Sequence, residues 1–457
     1  MVRRLTARRT PGWKALLAIF IAGGGLLWHV LACIESPMAY SPSGKELAFV
    51  TMEPYGDDGM ALRGTHAYRL FVVSNEDKLR LLDESTDYML TAPGYHPDGN
   101  YICYLRIPLL SPQELKRVNE FVEQRGELYD QATSRPAREP WPPGKPSVPS
   151  TQPSGQCEDV YLPSSKVVSM AIRAHATGPI VPAELVARDA HTGKIMATAR
   201  VDIPLVPEGS DKDYTPEILF NYLLTRTQCT PDGKWIIVNS RTMLLALDTS
   251  TGNLRRLAPS AMAAAMSPDG KTIAVLQEKA IGFIQVDGSK AVYVRCDAEP
   301  SLSGLAWAGR DMLAVLRAGG DANSGVTVDL IRSDGTMMGS RKLPITGGGK
   351  ADESGQLAVS PDGRYMAVSF GHHVHFMRRD GKVLKSWSHK DDLMVQPTFS
   401  PDSKRVAFKY LDAEEKRASG IVFFTPEGKR TAVVPIPRIA AGTTRPASMP
   451  ASAPAED

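Results

Sequence analysis

The stretch AMSPDGKTIAVL, residues 265–276, is the part of the sequence that decides the fold. In a type I turn, Ser267 suits the first position, Pro268 fixes φ at the second, and Asp269 is tolerated at the third. Gly270 then takes the left-handed conformation that ends the turn. The run that follows is apolar and rich in β-branched residues, which is typical of a buried strand. The stretch therefore predicts a hairpin between two inner strands of a sheet.

The same pattern recurs along the chain. Each copy has a small or apolar lead-in, a turn centred on proline and an apolar run. The copies are AYSPSGKELAFV (39–50), GYHPDGNYICYL (94–105), QCTPDGKWIIVN (228–239), AMSPDGKTIAVL (265–276), AVSPDGRYMAVS (358–369) and TFSPDSKRVAFK (398–409). A further copy, LAWAGRDMLAVL at 305–316, has lost its proline, and YLPSSKVVSMAI at 161–172 is a candidate for an eighth, decayed copy.

A second hairpin signal follows most copies. It is Thr-Gly in LVARDAHTGK (185–194) and LLALDTSTGN (244–253), and a shorter Asp-Gly or Glu-Gly turn at 286–288, 333–335, 379–381 and 426–428. Two hairpins make four strands per repeat. The copies lie 37 residues apart from Pro231 to Pro268 and 40 apart from Pro361 to Pro401, which is the length of a propeller blade. The sequence predicts an all-β propeller of about seven four-stranded blades, within a range of six to eight.

The Pro-Asp-Gly repeats resemble those of the TolB-type propellers, and they are similar to the propeller domains of prolyl-oligopeptidase-type proteins. The resemblance covers residues 36–436 apart from an insertion. It implies the propeller fold and, for TolB-type proteins, a role in complexes of the cell envelope. The Trp-Asp dipeptide of WD repeats is missing. The tryptophan docking pattern of quinoprotein propellers does not recur either, so no cofactor is expected.

The N-terminal segment 1–33 predicts a membrane anchor or export signal. Residues 15–32 contain no charged side chain, and as a helix they approach the thickness of a bilayer core. The basic residues before them favour a topology with the body outside the cytoplasm, in the periplasm or at the cell exterior. Val30-Leu31-Ala32-Cys33 resembles a lipoprotein signal, which makes Cys33 a candidate for lipidation. The alternatives are an uncleaved anchor and a buried helix of the globular body.

Charge and cysteine usage exclude some classes of partner. The chain has a net charge of +3, but residues 1–33 hold five basic and no acidic side chains, so the remainder is slightly acidic. No nucleic-acid partner is expected. No CxxC pair indicates a zinc or thioredoxin-type centre. The four cysteines beyond Cys33 allow up to two disulfides in an oxidising compartment, with the pairing left open: Cys103, Cys157, Cys229 and Cys296.

The propeller is expected over residues 34–436, with one insertion at 107–180. Ser111-Pro112-Gln113-Glu114 is a good helix start, and it predicts a helix over 111–131 that packs on its own domain or binds a partner. The Pro- and Ser-rich stretch 133–156 is expected to be disordered. The C-terminal tail 437–457 has a similar composition, and it is expected to be a solvated, disordered tail.

No catalytic residue is assigned. The sequence has no GxSxG elbow, no phosphate-binding GxxxxGK[ST] and no HExxH. His373 and His375 would share one face of a strand, which makes them weak candidates for a metal site, although a hydrogen-bonded strand is the simpler interpretation. The recurring aspartates are expected to bond turn amides rather than to act as acids, because they recur in the repeats: Asp98, Asp232, Asp269, Asp362 and Asp402.

These observations predict a non-catalytic, membrane-tethered interaction or scaffold module with protein partners in the cell envelope. One alternative is an enzyme, a hydrolase or lyase, with its site in the central channel. It requires several charged or histidine side chains that converge at one end of the channel. A second alternative makes the insertion helix the interaction element and the propeller its support.

Overall fold

The protein is described by a computed structural model. The residues that the structure describes are 38–54, 66–76, 78–109, 113, 180–204, 226–240, 243–258, 261, 263–277, 280–295, 304–318, 326–343, 355–370, 372–388, 392–412 and 417–437. Every element defined within these ranges is a β-strand.

The N-terminal half contains three blades. Blade 1 consists of β1 (Ala39–Tyr40), β2 (Glu46–Pro54), β3 (His66–Ser74) and β4 (Leu79–Ser85). Blade 2 consists of β5 (Tyr88–Leu90), β6 (Gly94–Tyr95), β7 (Tyr101–Pro108), β8 (Ile180–Asp189) and β9 (Ile195–Pro204). Its first strand is interrupted, so both β5 and β6 pair with β7. Blade 3 consists of β10 (Arg226–Cys229), β11 (Trp235–Ser240), β12 (Met243–Asp248) and β13 (Leu254–Ala258).

The C-terminal half contains four blades. Blade 4 consists of β14 (Ala263–Met266), β15 (Thr272–Gln277), β16 (Ala280–Gln285) and β17 (Ala291–Arg295). Blade 5 consists of β18 (Leu305–Trp307), β19 (Met312–Ala318), β20 (Val326–Arg332) and β21 (Met337–Lys342). Blade 6 consists of β22 (Gly355–Val359), β23 (Tyr365–Phe370), β24 (His373–Arg378) and β25 (Val383–Ser388). Blade 7 consists of β26 (Asp392–Phe399), β27 (Val406–Asp412), β28 (Arg417–Phe424) and β29 (Arg430–Pro435).

Each blade is an antiparallel meander in chain order. The proline turns join the first strand of a blade to the second, as between β14 and β15, where Ala264 lies opposite Val275. The Asp-Gly and Thr-Gly turns join the third strand to the fourth, as between β16 and β17. The copy without proline, 305–316, forms β18 and β19 of a complete blade. The prediction of about seven four-stranded blades is confirmed.

The core lies between the blades. Seven apolar clusters each join residues of two neighbouring sheets, and together they connect all seven blades in a ring. This arrangement explains why the second and third strands are apolar throughout, as in Ile236-Ile237-Val238, because both faces of the sheet are covered. First strands of neighbouring blades contact one another, so they form the innermost ring around the axis.

The ring closes without an exchanged strand. All four strands of blade 1 come from the N-terminal side and all four of blade 7 from the C-terminal side. The two blades meet through an apolar cluster that includes Phe49 and Phe71 on one side and Phe423 on the other. Lys409, fully buried, reaches across and donates from Nζ to the Val50 carbonyl at 2.8 Å. Closure therefore depends on side-chain packing and this hydrogen bond.

Several predictions fall on residues that the structure does not describe. These are the N-terminal segment 1–33, the insertion helix 111–131 apart from Gln113, the stretch 133–156, the decayed copy 161–172 and the tail beyond residue 437. In the described residues no helix is long and apolar enough to cross a membrane. The insertion itself connects the second and third strands of blade 2. Because β7 runs to Pro108 and β8 begins at Ile180, the connection is slightly shorter than the predicted 107–180.

Candidate functional site

The recurring turn is held together by its own side chains. In blade 4 the Ser267 hydroxyl donates to Asp269 Oδ1 at 2.6 Å and accepts from the backbone N of Thr272 at 2.9 Å. Asp269 Oδ1 also accepts from the backbone N of Lys271 at 3.1 Å. Gly270 ends the turn at φ +69°. The side chains thus satisfy backbone donors that the turn would leave unpaired.

The other proline turns repeat this arrangement. In blade 3 the hydrogen bond from the Thr230 hydroxyl holds the pKa of Asp232 below its usual value. The prediction that the recurring aspartates bond turn amides is confirmed. The donors to the five carboxylates are the backbone N–H groups of Asn100, Lys234, Lys271, Arg364 and Lys404.

The first hairpins form a continuous collar on one face of the disc. We call this set the turn collar; it comprises residues 41–44, 96–99, 230–233, 267–270, 308–311, 360–363 and 400–403. Neighbouring turns approach so closely that a Cβ on Gly270 would lie 2.4 Å from Pro231 Cδ of blade 3. Likewise, a Cβ on Gly44 would lie 3.4 Å from Pro401 Cδ across the ring closure. The proline of one turn therefore packs against the glycine of the next.

The collar is irregular at blade 5. There the turn is one residue shorter. The hydrogen bond that closes it runs from the backbone N of Ala308 to the Met312 carbonyl, whereas the corresponding bond in blade 4 runs from the backbone N of Ser267 to the Thr272 carbonyl. With no proline in this turn, Gly363 of blade 6 faces the Ala308 carbonyl, which would lie 3.3 Å from a Cβ. The junction between blades 5 and 6 therefore lacks the proline contact that Gly44, Gly99, Gly233 and Gly270 make with the preceding blade.

The second hairpin of blade 6 also departs from the pattern. The position two residues before the glycine of this hairpin holds a buried side chain in blades 4 and 7, namely Val286 and Pro426. In blade 6 this position is Arg379, which is exposed and lies 3.7 Å from the Met312 sulfur of blade 5. Val286 is part of the apolar cluster between blades 3 and 4. Blade 6 therefore carries a charged side chain where blade 4 makes an apolar contact with its neighbour.

A cavity of about 640 Å³ opens at this junction. We call it the blade 5–6 cleft; it is lined by Leu330, Asp362, Gly363, Arg364, Tyr365, Arg378, Arg379 and Asp380. Leu330 comes from blade 5 and the other residues from blade 6. The cavity is a shallow depression that is largely open to solvent rather than an enclosed pocket.

The two carboxylates of the cleft are engaged in their own turns. Asp362 Oδ1 accepts from the Ser360 hydroxyl at 2.6 Å, and Asp380 Oδ1 accepts from the backbone N of Lys382 at 2.9 Å. The guanidinium groups of Arg378 and Arg379 extend from an exposed hairpin. The cleft therefore offers cationic donors for an anionic ligand.

Tyr365 links the cleft to blade 7. The hydrogen bond between Tyr365 and Glu427 raises the pKa of the tyrosine. The phenol therefore stays protonated at neutral pH, and it presents a neutral, amphipathic surface beside the arginines.

The described side chains of the first strands, which form the inner ring, include few groups that are charged at neutral pH. Among the described side chains on these strands, Arg226 is the one that is charged at neutral pH. The neighbouring inner side chains are small, apolar or neutral, for example those of Ala263–Met266 and Leu305–Trp307. The convergence that a channel-centred enzyme requires is therefore not found on the described parts of these strands.

His373 and His375 lie on one face of β24, as predicted. Their rings stack with centroids 6.3 Å apart. His375 is buried, its Nδ1 lies 2.9 Å from the Ser386 hydroxyl, and burial and then the neighbouring His373 lower its pKa. In the portion of the chain that is described, no group of three or more His, Cys, Asp or Glu side chains could hold a metal ion.

Sequence reasoning missed the arginines of the cleft. A usable signal was present, because the hairpins that end in Asp-Gly or Glu-Gly can be aligned. The pair Arg378-Arg379 then stands where the other blades hold Gln285-Val286, Arg332-Ser333 and Thr425-Pro426. The candidate lipidation site Cys33 lies outside the described residues.

The chain is similar to several solved structures at low sequence identity. No family model and no curated protein matches the chain. Among solved structures, it is similar to a chain in the crystal structure of the mitotic checkpoint complex, with a TM-score of 0.48 and 10% identity over 85% of this chain and 89% of that one. It is similar to the propeller domain of Cps50 (Swd1) from Myceliophteria thermophila, with a TM-score of 0.48 and 10% identity over 85% and 95%. A third is the C-terminal WD40 domain of Sif2, with a TM-score of 0.41 and 11% identity over 82% and 93%.

Proposed function

We propose that the protein is a membrane-tethered interaction module of the cell envelope that binds an acidic segment of a partner protein in the blade 5–6 cleft. The observation that supports this most directly is the pair Arg378-Arg379, which lines the cleft and includes a charged side chain where blade 4 has the buried Val286. The resemblance of the repeats to TolB-type propellers supports a role in envelope complexes.

The repeat architecture favours this site, because recurring side chains and non-recurring side chains have different roles. Side chains that recur in the blades maintain the blades, as the turn aspartates do. Side chains that depart from the repeat are available for binding, and Arg379 departs from it at an exposed hairpin, beside Arg378. Arginine binds carboxylates through two parallel hydrogen bonds, which provide both strength and orientation.

The size of the cleft favours a protein segment. A cavity of about 640 Å³ admits a few side chains of an extended peptide. Leu330 and Tyr365 supply apolar contact beside the arginines. An acidic segment with an adjacent apolar residue fits this combination.

A crosslinking capture from membranes tests the binding site. The variant Arg378→Glu/Arg379→Glu is expected to reduce capture at least about tenfold, because two attractive contacts become repulsive. The matched control is Lys271→Glu/Lys290→Glu, which makes the same charge change on exposed positions of blade 4. Equal capture by wild type and the arginine variant would contradict the site, as would equal loss in the control.

The same preparation tests the tether and the insertion. Both lipidation at Cys33 and an uncleaved anchor place the chain in the membrane fraction, and a Cys33→Ala variant with unchanged mobility and fractionation identifies the anchor. Protection of the body from protease added to spheroplasts would contradict the outward topology.

Deletion of the insertion residues 110–179 is expected to leave partner capture intact. Loss of capture would instead assign binding to the insertion.

A further inference from the structure

Two cysteines meet at the junction between blades 2 and 3. Cys103 lies on β7 and is buried, and Cys229 lies on β10 and is half-buried. Both belong to the same apolar cluster between the two blades. Their thiols are hydrogen-bonded to each other and are not joined by a disulfide in this structure.

The backbone around the pair is closely packed. Gly94 lies opposite Cys103 in the sheet of blade 2. A Cβ on Gly94 would lie 2.5 Å from the Thr227 carbonyl and 3.2 Å from the Gln228 Cα of blade 3. β6, which pairs with the strand that holds Cys103, thus directly approaches the backbone of the strand that holds Cys229, so the thiols meet in a closely packed setting.

We propose that Cys103 and Cys229 form a disulfide that joins blades 2 and 3 when the protein meets an oxidised disulfide such as glutathione disulfide. Cys229 is the more accessible thiol, so its thiolate attacks the glutathione disulfide, and one glutathione thiolate leaves. The Cys103 thiolate then attacks the Cys229 sulfur and displaces the second glutathione. The two protein thiols lose two electrons and two protons, and the two glutathiones gain them.

The environment controls the rate of this reaction. The hydrogen bond with Cys103, followed by burial, raises the pKa of the Cys229 thiol. Since the thiolate is the attacking species, oxidation of the folded protein is slow at neutral pH and accelerates about tenfold per pH unit below that pKa. The bond then closes a loop from residue 103 to residue 229, which includes the outer strands of blade 2 and the insertion.

Mass spectrometry of the unmutated full-length chain tests the pairing. The reduced protein in detergent is incubated with glutathione disulfide at pH 8, its remaining thiols are blocked, and it is digested with trypsin. The expected product is the tryptic peptide 81–106 linked to the tryptic peptide 227–234, and reduction abolishes it. Recovery of Cys229 only as a glutathione adduct, or linked only to Cys157 or Cys296, would overturn the proposal.

Thermal unfolding provides the second measurement. Oxidation is expected to raise the unfolding midpoint by roughly 5 °C, because closing a loop of this size constrains the unfolded chain. The double variant Cys157→Ser/Cys296→Ser should keep the increase, and Cys229→Ser should lose it. An increase that survives in Cys229→Ser, or is absent from wild type after the cross-linked peptide has formed, contradicts the stabilising role. Capture through the blade 5–6 cleft is a separate readout, so failure here leaves the proposed function unaffected.

Discussion

The junction between blades 3 and 4 and the junction between blades 5 and 6 are built from the same strands and turns, yet one is closed and the other open. At the first, Gly270 packs on Pro231 and Val286 is buried. At the second, Gly363 faces a backbone carbonyl and Arg379 is exposed. Two local changes, a shortened turn and an arginine in an apolar position, are associated with a cavity of about 640 Å³.

The comparison teaches how a propeller can acquire a binding site without losing its core. The strands of both junctions remain apolar, and each junction retains its cluster of buried side chains. The change is confined to the hairpins that cap the junction. Turn residues tolerate such changes because solvent can satisfy their backbone groups.

The largest effect is expected from Gly270→Ala. The backbone at Gly270 has φ +69°, and an added Cβ would lie 2.4 Å from the rigid Pro231 ring. Strain and overlap together should lower the free energy of unfolding by about 2–4 kcal/mol. The measurement is urea unfolding at neutral pH.

The matched control is Gly363→Ala at the open junction. Its φ of +70° is nearly the same, but the nearest atom would lie 3.3 Å away. Its cost should be about 1–2 kcal/mol, mainly from the backbone strain, because the contact with the Ala308 carbonyl is less severe than the overlap with the Pro231 ring. Equal losses of unfolding free energy in Gly270→Ala and Gly363→Ala would contradict the difference in packing between the two junctions.

A smaller effect is expected from Arg379→Val, which gives blade 6 the residue of blade 4. The valine should pack between blades 5 and 6 and raise the free energy of unfolding by about 0.5–1 kcal/mol. Partner capture should fall at the same time, because the cleft is filled and a charge is lost. The control Arg378→Gln should weaken capture without the gain in stability. A loss of stability in Arg379→Val would show that the cleft cannot be closed by this side chain.

The smallest effect is expected from Asp232→Asn in a regular turn. The Thr230 hydroxyl and then the backbone N of Lys234 lower the pKa of Asp232, so the carboxylate stabilises the folded state above the pKa of the unfolded chain. This contribution disappears as the pH falls through the lower, folded pKa. The side chain is exposed, so the variant should lose only about 0.3 kcal/mol at pH 7, and the difference from wild type should shrink below pH 4. Unfolding curves at pH 7 and pH 3 measure it.

Much of the fold could be predicted because its determinants are local. Each Ser-Pro-Asp-Gly turn, with the apolar run after it, specifies one hairpin, and the spacing of the copies specifies the blades. Even the copy at 305–316 was recognisable, since its strands keep their apolar pattern after the proline is lost. These features follow from turn chemistry and strand composition alone.

The sites could not be predicted in the same way, because they depend on contacts between blades. The cleft requires Arg379 to meet Met312 of the preceding blade, and the thiol pair requires Cys103 to meet Cys229 across the insertion. The separation of these residues along the chain does not indicate that either pair is in contact. An alignment of the second hairpins would have identified Arg379 as unusual, but it would not have shown the cavity beside it.

The closure of the ring has a consequence for biosynthesis. Lys409 and Val50, which bond across the closure, are 359 residues apart in the chain. At a synthesis rate of about 5–20 residues per second, the exposed face of blade 1 waits roughly 20–70 s before blade 7 exists to cover it. During that interval Phe49 and Phe71 present an apolar surface on the nascent chain. The apolar face of the first blade to be made is therefore the last to be covered.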